Sequence, residues 1–472
     1  MASRVGGRNQ HELPGLVAGL IVAAALAVFF ATERRIALGG DEPHYLIIAD
    51  SLITDRDVNL ENNYERDART SAIYGSITPH VYRIPDGWAI PMGWWPYHGI
   101  GLPVLIAAPF AIAGQRGARM ALCLFSGLMP LALAWWLAAL AGEYIAAWTV
   151  IGAAISMPVL FGSTQIYPDL PGGVMAVGLT CWLLSRERDP DGVRGWPLFW
   201  LTIGFLPWLH IKFAGTTLVF AAGGAGMVLW LRRTGREQAA RFAAATMPLA
   251  ATGVGLLAWW HWSHSGSVLG FRQAHAELTD SPARALMIFL GLHLDQSQGM
   301  FFAQPLLLAG VASLVPFMRS KPWTAAFWAA LYVSLIVPNA MELARYGLGG
   351  PAGRFAWSAM WLWLVPFGYA AVAFGPRVRA WVKPAAIGGI LYQILLAIRW
   401  VPAPDLLWTS VDDPRNTIFP GWLSRHLPSF YTWDFTSYLR SPTNHAAFLC
   451  VLLLVIVGGV CSPDDVPTAT GR

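Results

Sequence analysis

About thirteen long apolar runs follow one another along the 472-residue chain, each near the length needed to cross a hydrocarbon layer of about 30 Å. A bilayer offers unpaired backbone groups no water, so runs of this kind must be helical. Charged residues make up only 12% of the chain and hydrophobic ones 55%, against about 25% charged in ordinary soluble domains. The expectation is an all-α polytopic membrane protein with about 11–13 transmembrane helices. The net charge of +5 is spread in short clusters between apolar runs. That is the distribution the positive-inside rule produces, and it implies no nucleic-acid partner. Cys123, Cys181, Cys450 and Cys461 show no ligand-like spacing and read as packing residues. The run from about Leu13 to Ala31, behind Arg4 and Arg8, is too long for a signal-peptide core and reads as a retained first span.

The basic stretch at 232–241, RRTGREQAAR, is the strongest cytoplasmic marker. Counting onward from it puts Arg319 to Lys321 and Arg377 to Lys383 on the same side. The stretches around 263–300, 339–355 and 400–444 then fall outside, and an inside N-terminus puts 33–97 there too. One conflict remains. Five segments between residues 14 and 184 would place the joint at 185–195 outside, whereas the later count needs it inside, so a piece within 98–161 is expected to be re-entrant or interfacial. Residues 1–462 read as one membrane domain, with 33–97 and 400–444 as first and last outer loops and 463–472 as a short polar tail.

Residues 33–69, which begin the first outer loop, carry nine of the 27 acids. The loop opens with GGDEPHYL (39–46), where Asp41 and Glu42 stand side by side just after the first span. Two acids beside a membrane are costly without partners or a task. Capping explains one of them: an acid before Pro43 suits the start of a helix. In PHYLIIADSLI, Tyr45, Ile48 and Leu52 share one helical face, which fits a short helix lying at the interface. Trp88, Trp94 and Trp95 read as headgroup-level anchors.

Further polar groups gather on the same side. Asp169 opens a span in YPD and reads as a helix cap or a ligand. His210 and Lys212 lie between two apolar runs, where the lysine either snorkels or holds a phosphate. GLHLDQSQGMFF supplies His293 and Asp295, and ELARYGLGGPAGRF supplies Glu342, Arg345 and Arg354. Arginines on a translocated face run against the usual bias, and either a phosphate or an ion pair gives them a purpose. His44, His98, His210 and His293 match no recognised metal-binding spacing and read mostly as hydrogen-bonding residues.

In the order of these motifs the chain resembles the GT-C superfamily of multi-spanning glycosyltransferases, which includes protein mannosyltransferases and the aminoarabinose transferases of lipid A. GDEPHY looks like that family's catalytic acid motif. YHGIGLPVLIAAPFAIAG resembles the return to the membrane, LHIKF a lysine approaching the donor phosphate, and LDQSQGMFFAQP and GGPAGRF the later outer motifs. The likeness covers roughly residues 14–375 and lacks any large C-terminal soluble domain. It implies a GT-C-like fold whose outer loop carries short interfacial helices. It also implies transfer of a sugar from a polyprenyl-phosphate donor to an envelope lipid, glycan or protein, at the outer face of the cell (inner) membrane. Asp41 and Glu42 would be catalytic, Lys212, Arg345 and Arg354 would hold the donor phosphate, and His44, Tyr45, Asp169, His293 and Asp295 would line the substrate side. No cofactor is certain; a divalent cation (Mg²⁺, Mn²⁺ or Ca²⁺) shared by Asp41 and Glu42 stays open. The competing classes are a lipid or solute transporter gated by the acidic loop, and a noncatalytic envelope scaffold. Acids are nearly absent from span centres, which disfavours the transporter.

Overall fold

The structure, a computed structural model, describes residues 12–83, 93–270, 281–342, 346–347, 349–408, 418–430 and 440–461. It is almost entirely helical. Among the described residues, seven helices are long and apolar enough to cross a membrane, eight if the bent pair Glu143–Ala154 and Met157–Thr164 forms one span, and three shorter apolar helices accompany them. The expected polytopic all-α fold is therefore present.

The part that positions the site comes early. Helix α1 (Glu12–Thr32) is the first span, and α2 (Glu42–Thr54) and α3 (Glu61–Thr70) follow in the polar loop. The strands β1 (Val81–Arg83) and β2 (Trp94–Pro96) pair antiparallel, Val81 opposite Pro96, before helix α4 (Gly101–Ser126). Helix α2 is more enclosed than one apolar face requires, since every residue from Glu42 to Ala49 is buried. It packs along α4.

Helix α4 is broken at Ala113 and Gly114, whose backbone leaves the helical region. The break is a fold-back: a Cβ on Gly117 would stand 2.0 Å from the Pro109 carbonyl oxygen, so only glycine permits it. This settles the topology conflict. His98, ahead of α4, lies 3.8 Å from Asp41, and Arg116, beyond the break, lies 2.9 Å from Glu33. Glu33 and Asp41 both belong to the loop that follows α1. Both ends of the segment 101–112 thus sit on one membrane face, so it does not cross.

The bent pair, by contrast, does cross. At its start, Tyr144 and Trp148 meet Arg379 and Lys383, which lie at the beginning of the stretch running to Trp400. The far end of that stretch is on the Asp41 face, where the Val401 carbonyl accepts from Arg35. The pair ends beside Asp41, because the Ile166 amide donates to Glu42. With that segment not crossing, the joint at 185–195 falls opposite the Asp41 face. Its acids confirm the placement by pairing with basic joints: Asp191 lies 2.7 Å from Arg236, and Glu187 lies 3.1 Å from Lys321.

In a cysteine-free background, Arg116→Cys and Ser76→Cys are expected to react with a membrane-impermeant maleimide from one side, and Arg194→Cys from the other. Labelling of Arg116→Cys together with Arg194→Cys would mean that 101–112 crosses.

Candidate active site

The Asp41 loop is held in place by its neighbour. Glu42 is wholly buried, and both its oxygens are taken. Oε1 accepts from the Ile166 amide at 2.8 Å, Oε2 accepts from the Gly39 amide at 3.2 Å, and the Arg119 guanidinium on α4 donates to Oε2 at 3.2 Å. Burial pushes the carboxyl up, while Arg119 and the two amides pull it back. One side chain thus joins the loop to α4 and to the turn before Asp169. Both Glu42 oxygens are thus committed to protein donors. The capping reading also shifts by one residue: Asp41 occupies the N-cap position without a side-chain cap bond, and Glu42 opens the helix.

Gly40 makes the tight approach possible. Its φ of +52° lies in the left-handed region, and a Cβ there would meet the Tyr167 hydroxyl at 2.4 Å. The same hydroxyl donates to the Gly39 carbonyl at 2.9 Å.

Released from capping, the Asp41 side chain points into a ring of nitrogen groups. His80 Nδ1 and His98 Nε2 each stand 3.8 Å from its Oδ1, and an Arg354 nitrogen stands 3.7 Å from Oδ2. The two imidazoles are 3.1 Å apart. The hairpin explains this meeting: β1 pairs with β2 so that the Tyr97 amide donates to the His80 carbonyl, which brings residues 80 and 98 together. His44 stacks on His80 with centroids 3.8 Å apart, and its Nδ1 is 2.7 Å from the Tyr64 hydroxyl. Burial alone would raise the Asp41 carboxyl, but His98, Arg354, His80 and His44 outweigh it and hold the group down at about 2. His98 is itself lowered to about 4, by burial against the pull of Asp41, and His44 to about 3, by burial and by His98 and His80.

The cations lie alongside. Arg354 is buried over the Tyr167 ring at 4.1 Å and over Phe355 at 5.2 Å. Lys212 also lies 5.2 Å from Phe355, but its ammonium is paired closely with the buried Asp169. Asp169 begins its helix without a side-chain cap bond, and its carboxylate is taken by Lys212. His210 accepts from the Lys212 amide at 3.2 Å and fixes the elbow between two helices. His98 and His210 open onto a cleft of about 120 Å³, partly open to solvent and walled by Tyr82, Tyr97, Trp208, Trp260 and His261.

Other candidates are placed further back. Tyr45 is buried with its ring 4.9 Å from His98. Asp295 is wholly enclosed and accepts from the Ser297, Gln298 and Phe430 amides; Gln298 Oε1 in turn accepts from the Gly353 amide beside Arg354. His293 is buried against the Tyr332 hydroxyl and the Phe289 carbonyl. Arg345 and Trp88 lie outside the described residues. Sequence reasoning missed His80, Arg119 and Tyr167 as parts of the site and read His98 as a hydrogen-bonding residue. No local spacing links these residues, which meet only through the hairpin and the fold-back of α4.

No family model matches the chain, and no curated protein matches it. Two solved structures of ArnT from Cupriavidus metallidurans do, one bound to undecaprenyl phosphate and one in the apo state. Their TM-scores are 0.50 and 0.51, each at 15% identity, covering 94% of this chain and 74% and 73% of theirs. The chain has the ArnT fold. The GT-C-like architecture expected from the motif order is thereby present, as a likeness of fold.

Arg119→Ala leaves a buried carboxylate without its partner, and a loss of about 3–5 kcal/mol is expected. Thermal unfolding in detergent reads it. The Glu42→Gln/Arg119→Met double variant should lose less than the sum of the two single changes.

Proposed function

We propose that this chain is an integral-membrane glycosyltransferase that takes a sugar from a polyprenyl-phosphate donor and passes it to an acceptor presented at the Asp41 face of the membrane. One observation carries the reading: a carboxylate, a buried guanidinium and a lysine meet beside an aromatic-walled cleft on a fold shared with ArnT, a protein captured with undecaprenyl phosphate. The donor's lipid tail would stay in the bilayer while its phosphate reaches Arg354. Guanidinium pairs bidentately with phosphate oxygens, and burial against Tyr167 and Phe355 keeps the group pre-oriented. Lys212 adds positive charge nearby, tempered by Asp169.

In the transfer step the acceptor oxygen forms a bond to the anomeric carbon as the bond from that carbon to the phosphate oxygen breaks. The acceptor's proton goes to Asp41, and the departing lipid phosphate keeps the electron pair. Arg354 is placed to stabilise that growing charge, because it already stands 3.7 Å from Asp41. A carboxylate held at about 2 is a weak base. It suits a reaction whose leaving group is already good, in which the proton departs late. Glu42 positions the loop and does not touch the reactants. Asp169, Tyr45, His44 and Asp295 act through the residues they hold, and the sugar lies in the cleft between His98 and Trp260. The acceptor is an envelope lipid, glycan or protein, and the site faces the outside of the cell membrane.

Asp41→Asn and Arg354→Ala are each expected to reduce transfer of labelled sugar in membranes by about 100-fold or more, at unchanged expression and melting temperature. Arg354→Lys should restore part of the loss. Full activity in both Asp41→Asn and Arg354→Ala would overturn the assignment.

A further inference from the structure

Asp41 Oδ1 is surrounded by groups that it does not hydrogen-bond. His80 Nδ1 and His98 Nε2 are both 3.8 Å away, beyond hydrogen-bonding range, while the two nitrogens lie 3.1 Å from each other. A hydrogen bond between the imidazoles accounts for the short side of this triangle and leaves its two long sides unexplained. The point equidistant from the three atoms lies about 2.1 Å from each, which matches the bond lengths of zinc to imidazole nitrogen and carboxylate oxygen. A tetrahedral ion with such bonds would set its ligands about 3.4 Å apart, midway between the sides observed. Shifts of a few tenths of an ångström would close the set.

We propose that Asp41, His80 and His98 form a binding site for a divalent transition-metal ion of the Zn²⁺ class. The proposal rests on the reading of Asp41 as the reactive carboxylate and extends it. Two imidazoles and one carboxylate favour Zn²⁺ or Co²⁺ over the hard, oxygen-seeking Mg²⁺ and Ca²⁺. Three protein donors leave a fourth position open, as in zinc sites that admit an oxygen ligand.

The surroundings are built to hold this set. Tyr64 is 2.7 Å from His44 Nδ1 and also accepts from the His80 amide at 3.3 Å, so it fixes both the ring stacked on His80 and the backbone that carries it. His98 is buried, and Gly99 behind it is wedged against the Leu209 carbonyl. The ion would occupy Oδ1, and Oδ2 would remain on the Arg354 side. Metal and guanidinium would then flank one carboxylate and present two positive centres to a phosphate or an acceptor oxygen.

The full-length protein in detergent, stripped with a chelator and desalted, can be titrated with Zn²⁺ and, separately, with Co²⁺. About one ion per chain is expected, with the visible Co²⁺ bands of a four-coordinate site and no displacement by excess Mg²⁺. His80→Ala and His98→Ala should each weaken binding by about 100-fold or more. His80 is half-exposed, so its variant should keep the metal-free melting temperature, which separates loss of a ligand from loss of fold. Wild-type binding no tighter than that of the His80→Ala/His98→Ala double variant would overturn the site. The readout needs no sugar donor: a chain that binds one Zn²⁺ yet transfers no sugar keeps the site and loses the proposed function, and the converse result does the opposite.

Discussion

A single buried ion pair decides where the Asp41 loop lies. Glu42 and Arg119 are both sealed from solvent, and an unpaired charge in such a place costs several kcal/mol, so each holds the other. Because Glu42 also takes the Gly39 and Ile166 amides, the pair gathers the loop after the first span, the fold-back of α4 and the turn before Asp169. Its neighbour Asp41 is then left with no structural task, and its side chain is free for Arg354 and the histidines. The two adjacent acids divide the work, one anchored and one presented.

Around that anchor the charges alternate in space. Arg119 faces Glu42, Arg354 faces Asp41, and Lys212 faces Asp169. Two of these pairs are close enough to satisfy both partners. The third stands apart at 3.7 Å, with a carboxylate that keeps 29% of its side chain exposed. A polar ligand group can enter there without first breaking a tight ion pair. Aromatic rings sit behind the two cations, Tyr167 and Phe355 under Arg354 and Phe355 beside Lys212, and they limit the rotamers that these long side chains explore.

What the sequence discloses follows from the range over which each physical signal acts. Hydropathy is local, so the polytopic fold is legible run by run, and so is the need for one segment that does not cross, since charge bias fixes the parity of crossings. The motif at 39–46, the YPD start at Asp169, Lys212 and Arg354 are legible because charges stand out against an apolar background. The partners of those charges are not. Lys212 reads as a phosphate ligand until Asp169 is seen beside it, and Arg119, inside an apolar run, looks like any interfacial arginine. His80 and His98 are silent for a related reason: a two-strand ladder of three residues each brings them together, and metal-type spacing patterns describe donors on one helix or one tight loop.

The fold-back at Gly114 bears on how the protein is made. Asp41, His44, His80, His98 and Arg119 all lie on either side of that break, within the first quarter or so of the chain. The anchor of the Asp41 loop also takes the Ile166 amide, so the loop is fixed only after the turn before Asp169 has been made. Arg354 is translated much later, after several further helices have been threaded into the bilayer. The site is therefore complete only once the chain has been made as far as Arg354.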